Sequence, residues 1–278
     1  MATRTVAITG PTSGIGRSAA IALARRGDAL VLLVRDVARG RALADELVRE
    51  GADAATTVIA CDVASLASVR EATAAVRAQV PRVDVLINNA GAIFQTRKLS
   101  VDGHELTWAT NHLGPTLLTE LLVPRLIESA PARIVTVASR AHTRGSIHWD
   151  DVELARDFTP WRAYCQSKLA NVMMASAIAR RLAGSGVVSH SLHPGVVASG
   201  FGTNDGGLLA LAMRLGRPFL RTNEQGAATT VFLATSPEAQ ATTGVYWANE
   251  RPARATREAR DVDAQERLMA LTRKTVGL

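Results

Sequence analysis

Only two cysteines, Cys61 and Cys165, occur in the 278 residues, which excludes a disulfide framework and suits a reducing compartment. Aromatic residues make up 4% of the chain, too few for the stacking platforms on which nucleic-acid binders rely. No apolar run approaches the ~20 residues a membrane helix requires. The N-terminus also lacks a basic stretch followed by an apolar signal core. The expectation is a cytoplasmic protein with no membrane span. The six histidines show no HExxH-type spacing, so no metal site is expected. Lysine is scarce as well, with only Lys98, Lys168 and Lys274 among 32 basic residues. The net charge of +7 is thus an arginine excess, scattered singly along helix faces and not gathered into a nucleic-acid patch.

What the chain does have is hydrophobic residues, 47% of it, enough to bury a sizeable core. They fall in short apolar runs separated by helix-like stretches. Strands are predicted at Thr5–Thr9, Ala29–Val34, Thr57–Ala60, Val83–Ile87, Arg133–Val137, Val187–Leu192 and Gly244–Trp247. Helices are predicted at Ile15–Arg26, Arg39–Glu50, Leu66–Gln79, Gly103–Glu128, Trp161–Leu182 and Glu224–Ala234, with Pro124 expected to bend or break the fourth near its end. Seven apolar strands alternating with helices imply an α/β fold, a doubly wound seven-stranded parallel sheet covered on both faces. Such sheets bind ligands at the carboxyl ends of their strands. No linker, repeat or low-complexity segment divides the chain, so residues 1–278 are read as a single domain. The segment from about 198 to 223, with an apolar set from Leu208 to Leu220, is either a helical flap over a pocket or a small surface subdomain.

Two local patterns carry chemistry. The first strand runs into Thr9-Gly10-Pro11-Thr12-Ser13-Gly14-Ile15-Gly16. Glycine there lets the backbone turn tightly and approach a pyrophosphate at the positive end of the following helix. The spacing is G-x-x-x-G-x-G, not the G-x-G-x-x-G of the commoner fingerprint. Farther on, Tyr164 and Lys168 lie four positions apart at the start of a helix, on one face. An ammonium nearby favours the phenolate of a tyrosine that otherwise titrates near pH ~10, so the pair could give and take a proton. The plainer alternative is a tyrosine packed beneath a lysine stem.

Asn88-Asn89-Ala90-Gly91, Asn111, Ser139 and His193-Pro194-Gly195 join these two patterns in order, from residue 9 to about 200. With them the chain resembles the short-chain dehydrogenases/reductases. The resemblance implies a Rossmann-type sheet, a nicotinamide cofactor and interconversion of a carbonyl with an alcohol. It makes Tyr164 the proton donor, with Ser139 hydrogen-bonding the same substrate oxygen. Lys168 would lower the Tyr164 pKa and hold the nicotinamide ribose; bringing a phenol from ~10 to near 7 takes about 4 kcal/mol, which a close ammonium plus the cationic oxidised nicotinamide could supply in a dry site. Asn111 would link Lys168 to solvent through water, the alternative being a capping or surface asparagine.

The same resemblance implies cofactor contacts at Gly10, Ser13, Gly14, Ile15 and Gly16 in the first turn, and at Asn89, Ala90 and Gly91 after the fourth strand. Tyr164 and Lys168 would touch the cofactor too, and Pro194 and Gly195 would approach the nicotinamide, with Val196 and Val197 near its amide. Ser199 stands where the family often has Thr. Asp62 and Val63 would contact the adenine, unless Asp62 is a helix N-cap. A carboxylate ending the second strand binds the adenosine 2′-hydroxyl, whereas an arginine accommodates a 2′-phosphate. The family's acidic position is Val34 here and its phosphate-binding position is Arg35, which favours NADP(H); Asp36, near the general ~20-residue offset, argues for NAD. Cys165 is read as packing, and His142 and His148 as mobile surface residues.

Val34-Arg35-Asp36, Asn111-His112-Leu113-Gly114, Ser139-Arg140-Ala141-His142, Arg217-Pro218-Phe219 and Glu224-Gln225-Gly226-Ala227 resemble the retinol dehydrogenase-like branch of that family. The expectation is an NADP(H)-dependent oxidoreductase acting on a lipophilic aldehyde, ketone or alcohol, retinoid-like or steroid-like. Two alternatives stay open: a light-driven pigment reductase acting on a carbon–carbon double bond, and a cofactor-binding sensor. A homodimer or homotetramer built on the helices Gly103–Glu128 and Trp161–Leu182 would fit the family.

Overall fold

Strand β1 (Thr5–Thr9) is apolar and almost wholly buried, and it pairs in parallel with β2 (Ala29–Val34) on one side and β4 (Val85–Asn88) on the other. A strand paired on both edges and covered on both faces has no use for alternating polarity, which is why these runs are continuous Val, Leu and Ile. The computed structural model describes residues 3–50, 55–195 and 221–278. Its sheet has the order β3-β2-β1-β4-β5-β6-β7-β8, adding β3 (Thr56–Ala60), β5 (Ala132–Val137), β6 (Val187–His193), β7 (Tyr246–Ala248) and β8 (Arg251–Ala253). The first seven are parallel, as expected; β8 is an eighth strand, antiparallel to β7. It was not foreseen because it is three residues long and contains Pro252, which only an edge position tolerates. The turn into it uses Asn249 and Glu250 at φ +55° and +59°.

Helices α1 (Gly14–Ala24), α2 (Val37–Arg49) and α3 (Leu66–Gln79) link the first strands. The region predicted as one helix from Gly103 to Glu128 is instead α4 (Leu106–Trp108), a π-helical segment (Ala109–Leu113) and α5 (Gly114–Glu128). Pro124 does not break α5, which continues to Glu128. Helix α6 (Pro160–Arg181) starts with Thr159 capping the Arg162 N–H and proline at its first position. Then come α7 (Asn223–Thr235), opened by a Thr222–Gln225 capping box, α8 (Pro237–Gln240) and α9 (Val262–Thr275).

Two buried apolar clusters lie on the two faces of the sheet, one containing Val6, Ile8, Leu30 and Leu32, the other Ala7, Val31, Leu33 and Leu86. Helix α9 packs on α6, burying Leu268 and Met269, and Glu120 of α5 is clasped by Arg181 and Arg273. Part of the helix surface on which oligomerisation was expected is thus covered by the chain itself. No described helix is long and apolar enough to cross a membrane. The strand order reverses between β1 and β4, so the crevice for a ligand opens at the carboxyl ends of those strands.

Candidate active site

The crevice begins where β1 ends. Thr9 Oγ1 accepts from the N–H groups of Asn89 and Ala90, both at 3.0 Å, and the Asn89 side-chain amide donates to the carbonyls of Thr9 (3.0 Å) and Gly10 (3.1 Å). These four bonds clamp the ends of β1 and β4 together. Gly10 and Gly14 sit at φ +64° and +53°, where a side chain would be strained. A Cβ on Gly16 would collide with the Asn89 amide and the Gly10 carbonyl. At the N-terminus of α1, Ser13 is exposed and makes no side-chain capping bond, and the first turn carries no acid. Ile15 is half-buried against the core beneath this turn. The residues therefore fit a dinucleotide pyrophosphate: a bare backbone cradle at an uncompensated helix N-terminus.

At the end of β2, Arg35 and Asp36 are both exposed. The Asp36 carboxylate is already engaged as the N-cap of α2, accepting from the Arg39 N–H at 3.1 Å. The Arg39 guanidinium reaches back to the Thr12 carbonyl at 3.2 Å, so a second cation lies against the glycine turn. Nothing in the first-turn motif marks Arg39; its signal is its place four residues after Arg35. After β3, Asp62 accepts from the Ala64 N–H at 3.0 Å, and the cap of α3 is Ser65, so the N-cap alternative for Asp62 is set aside. Val63 is buried, and its carbonyl lies so close to Gly114 that any Cβ there would overlap it.

Asn111 is fully buried in the π-helical segment, which rules out a surface asparagine. Its Oδ1 accepts from the Ala92 N–H at 2.8 Å, and its Nδ2 donates to the Ala92 carbonyl and Ser167 Oγ, both at 2.9 Å. A Cβ on Gly91 would stand 3.3 Å from both Asn111 Oδ1 and Lys168 Nζ, so the backbone after β4 passes directly over the two side chains. Lys168 is 3% exposed, donates to the Val137 carbonyl at 2.9 Å, and has Nζ 5.7 Å from the centroid of the Tyr164 ring. Ser139, at the end of β5, hydrogen-bonds the Tyr164 hydroxyl. Asn111, Ser139, Tyr164 and Lys168 thus converge from three elements on one corner of the crevice.

The expected lowering of the phenol called on the Lys168 ammonium together with the oxidised nicotinamide; the protein's own groups act, on balance, in the other direction. Burial pushes Tyr164 up to about 12, against the smaller opposing effect of the Ser139 hydrogen bond. Burial also lowers Lys168 to about 8. Burial is thus the larger effect on the Tyr164 phenol, with the Lys168 ammonium bonded to the Val137 carbonyl and 5.7 Å from the centroid of the ring. At neutral pH the Tyr164 phenol is thereby kept protonated.

Gly195 lies at φ +90° after β6, next to Pro194, and the Arg140 N–H donates to His193 Nδ1 at 3.1 Å, tying the ends of β5 and β6. Val197, with Val196, Ser199, Arg217-Pro218-Phe219 and nearly all of the 198–223 flap, lies outside the described residues. Cys165 is buried, as expected of a packing residue. His142 is not a surface residue: it is 1% exposed, with Nδ1 2.8 Å from the Ser139 carbonyl and its ring edge-on to Tyr246 at 4.7 Å. His148 is half-buried. Trp161, one turn before Tyr164, is 55% exposed with its ring 6.0 Å from the Tyr164 ring. Among the described residues no three His, Cys, Asp or Glu come together as a metal site would need.

The family profile described as short chain dehydrogenase matches residues 4–206. Retinol dehydrogenase 13 of Homo sapiens is 37% identical over 281 residues, covering 99% of this chain and 85% of its own. Dehydrogenase/reductase SDR family member 13 of Bos taurus is 40% identical, covering 99% and 74%. Among solved structures, a putative uncharacterized protein from Mycobacterium paratuberculosis superposes with a TM-score of 0.80 at 34% identity, over 99% of this chain and 94% of that one. A 3-ketoacyl-(acyl-carrier-protein) reductase from Brucella melitensis, solved in complex with NADH, gives a TM-score of 0.68 at 25% identity, over 88% and 96%.

Proposed function

We propose, since the chain belongs to the short-chain dehydrogenase family and to its retinol dehydrogenase-like branch, that it is an NADP(H)-dependent oxidoreductase interconverting a carbonyl and an alcohol on a lipophilic substrate. The observation that carries the reaction is the Ser139–Tyr164 hydrogen bond with Lys168 buried beside it. When bound, the cofactor supplies the hydride. Tyr164 gives its proton to the substrate oxygen, and Ser139 donates a second hydrogen bond as charge develops there. A phenol held near 12 stays protonated through the physiological range, which suits reduction. Lys168, positive below about 8, returns positive charge to the phenolate left behind. Asn111 fixes the Ala92 backbone and Ser167, and through Gly91 it shares its surroundings with Lys168.

The preference for NADP(H) rests on the second strand. Asp36 is taken up in capping α2, so the carboxylate that would bind a 2′-hydroxyl has another partner. Arg35 and Arg39 are both exposed, and the Arg39 guanidinium lies against the glycine turn, a pair suited to a 2′-phosphate. Replacing both by Gln is expected to cut the NADPH-over-NADH ratio of kcat/KM by about 100-fold, one tenfold factor per lost charge-assisted bond. Parallel initial rates with the two cofactors give the answer; an unchanged ratio would remove the arginines from cofactor choice.

Exposed Trp161 supports the lipophilic part of the reading. A large aromatic half open to water, one turn from the proton donor, offers about 100 Å² for an apolar substrate body. Trp161→Ala is expected to raise KM about tenfold for aldehydes of ten or more carbons and to change it little for propanal. Equal effects along the chain-length series would mean that the ring packs the helix rather than the substrate. The reading as a whole is tested by NADPH oxidation on aldehydes, ketones and retinoids, where cofactor binding without turnover of any of them would count against it.

A further inference from the structure

Beside Ser139 stands a group of cations that the carbonyl chemistry does not use. Arg140 follows Ser139 in the chain and is exposed. Arg221, half-buried, lies against the turn after β6: a Cβ on Gly195 would meet its Cδ at 2.5 Å, its Nε at 2.8 Å and its Nη1 at 3.1 Å. Between them is His193, whose Nδ1 accepts from the Arg140 N–H at 3.1 Å. That bond fixes the tautomer, leaving the ring proton on Nε2 as a donor. Desolvation and the nearby charges of Arg140, Arg221 and His142 hold His193 down to about 4, so it adds a neutral N–H and not a third charge. Among the described residues neither guanidinium is within ion-pair distance of a carboxylate, whereas Arg4, Arg17, Arg25, Arg82 and Arg273 each have one.

Arg140, through its backbone N–H, and Arg221, through the Gly195 turn, both adjoin His193 and have no carboxylate to pair with among the described residues, so an anion there would meet two unpaired guanidiniums. The cofactor's own phosphates have other sites: the pyrophosphate at the glycine turn and the start of α1, a 2′-phosphate at Arg35 and Arg39. The Arg140 end of the cluster belongs instead to the strand end that presents Ser139 to the substrate oxygen. Resting on the carbonyl-reductase reading above, we infer that the substrate carries an anionic group, a carboxylate or phosphate, which Arg140 and Arg221 bind while its apolar body passes Trp161. The substrate class is an amphiphilic oxo acid or phosphorylated aldehyde or ketone, not a neutral retinoid.

The test compares a long-chain ω-oxo carboxylic acid with its neutral methyl ester, using the full chain and NADPH. Wild-type protein is expected to favour the acid at least tenfold in kcat/KM. Arg140→Gln and Arg221→Gln should each lower that acid-to-ester ratio about tenfold, through KM, whereas Arg26→Gln, which removes the same charge at the far end of α1, should leave it as it was. No acid preference, or an equal loss on both substrates, overturns the proposal. A loss of NADPH affinity in the two variants would assign the guanidiniums to the cofactor and overturn it as well. If neither substrate is turned over, the reductase reading fails separately, and the anion site is judged by quenching of tryptophan fluorescence with a long-chain fatty acid in the presence of NADPH. Binding weakened at least tenfold in the Arg140→Gln/Arg221→Gln protein then sustains the site, and absence of binding to wild type overturns it.

Discussion

Tyr164→Phe is expected to lower kcat/KM for carbonyl reduction by about 1,000-fold, within the range lost when a positioned general acid is removed. That corresponds to about 4 kcal/mol of transition-state stabilisation. The substitution keeps the ring, and with it the packing beside Trp161 and under the Lys168 ammonium. It removes the O–H and with it the bond to Ser139. Because a phenol pushed up to about 12 is protonated at every pH in ordinary use, the wild-type donor is always loaded and the whole loss can be read at neutral pH. Initial rates at saturating NADPH give the effect on chemistry, and a fluorescence titration of NADPH gives the control. Turnover near the wild-type level would show that another group protonates the product oxygen. A matching loss of NADPH affinity would instead mean that the hydroxyl mainly holds the cofactor.

The parts of this site that were legible in the sequence are those set by short covalent spacing. Tyr164 and Lys168 share a helix face because they are four apart, and Gly10, Gly14 and Gly16 mark a turn because a strand precedes them and a helix follows. The parts that were not legible depend on contacts between distant segments. Asp36 was legible only as a possible ribose ligand; that one of its oxygens also caps α2 shows only in the extended backbone at that residue, φ −105° and ψ 101°, with the bond from the Arg39 N–H. His142 looked like a surface loop residue and is buried because Tyr246, from the other end of the chain, packs against its ring. The π-helical segment that carries Asn111 has the same apolar periodicity as a plain helix, and its extra residue shows only in the fold, together with the bonds of Asn111 to Ala92 and Ser167. The Tyr164–Lys168 electrostatics could not be read from the sequence for a similar reason. Spacing sets which face two side chains share, but the balance of charge attraction against desolvation depends on what buries them.

Gly16→Ala should show how much the first turn depends on close backbone approach. A methyl at Gly16 overlaps the Asn89 amide and the Gly10 carbonyl, which are themselves bonded to each other, so neither can yield without opening the β1–β4 clamp. Overpacking of this kind costs about 1–3 kcal/mol of stability. Stability alone, however, does not identify the role of the glycine. Gly27→Ala is the useful comparison: at φ +83° with nothing within 4 Å of its Cβ, it carries only backbone strain, about 1–2 kcal/mol. The two variants should therefore melt several degrees below wild type by similar amounts. They should part company in cofactor binding. Gly16→Ala shifts the carbonyl of Gly10 and with it the backbone of the turn proposed to hold the pyrophosphate, and losing even one charge-assisted bond there would weaken NADPH by about tenfold or more. Gly27→Ala lies at the opposite end of α1 and should bind NADPH as wild type does. Equal NADPH affinity in the two variants would place the pyrophosphate away from the Gly10–Gly16 turn, and the glycines there would then be explained by packing against Asn89 alone.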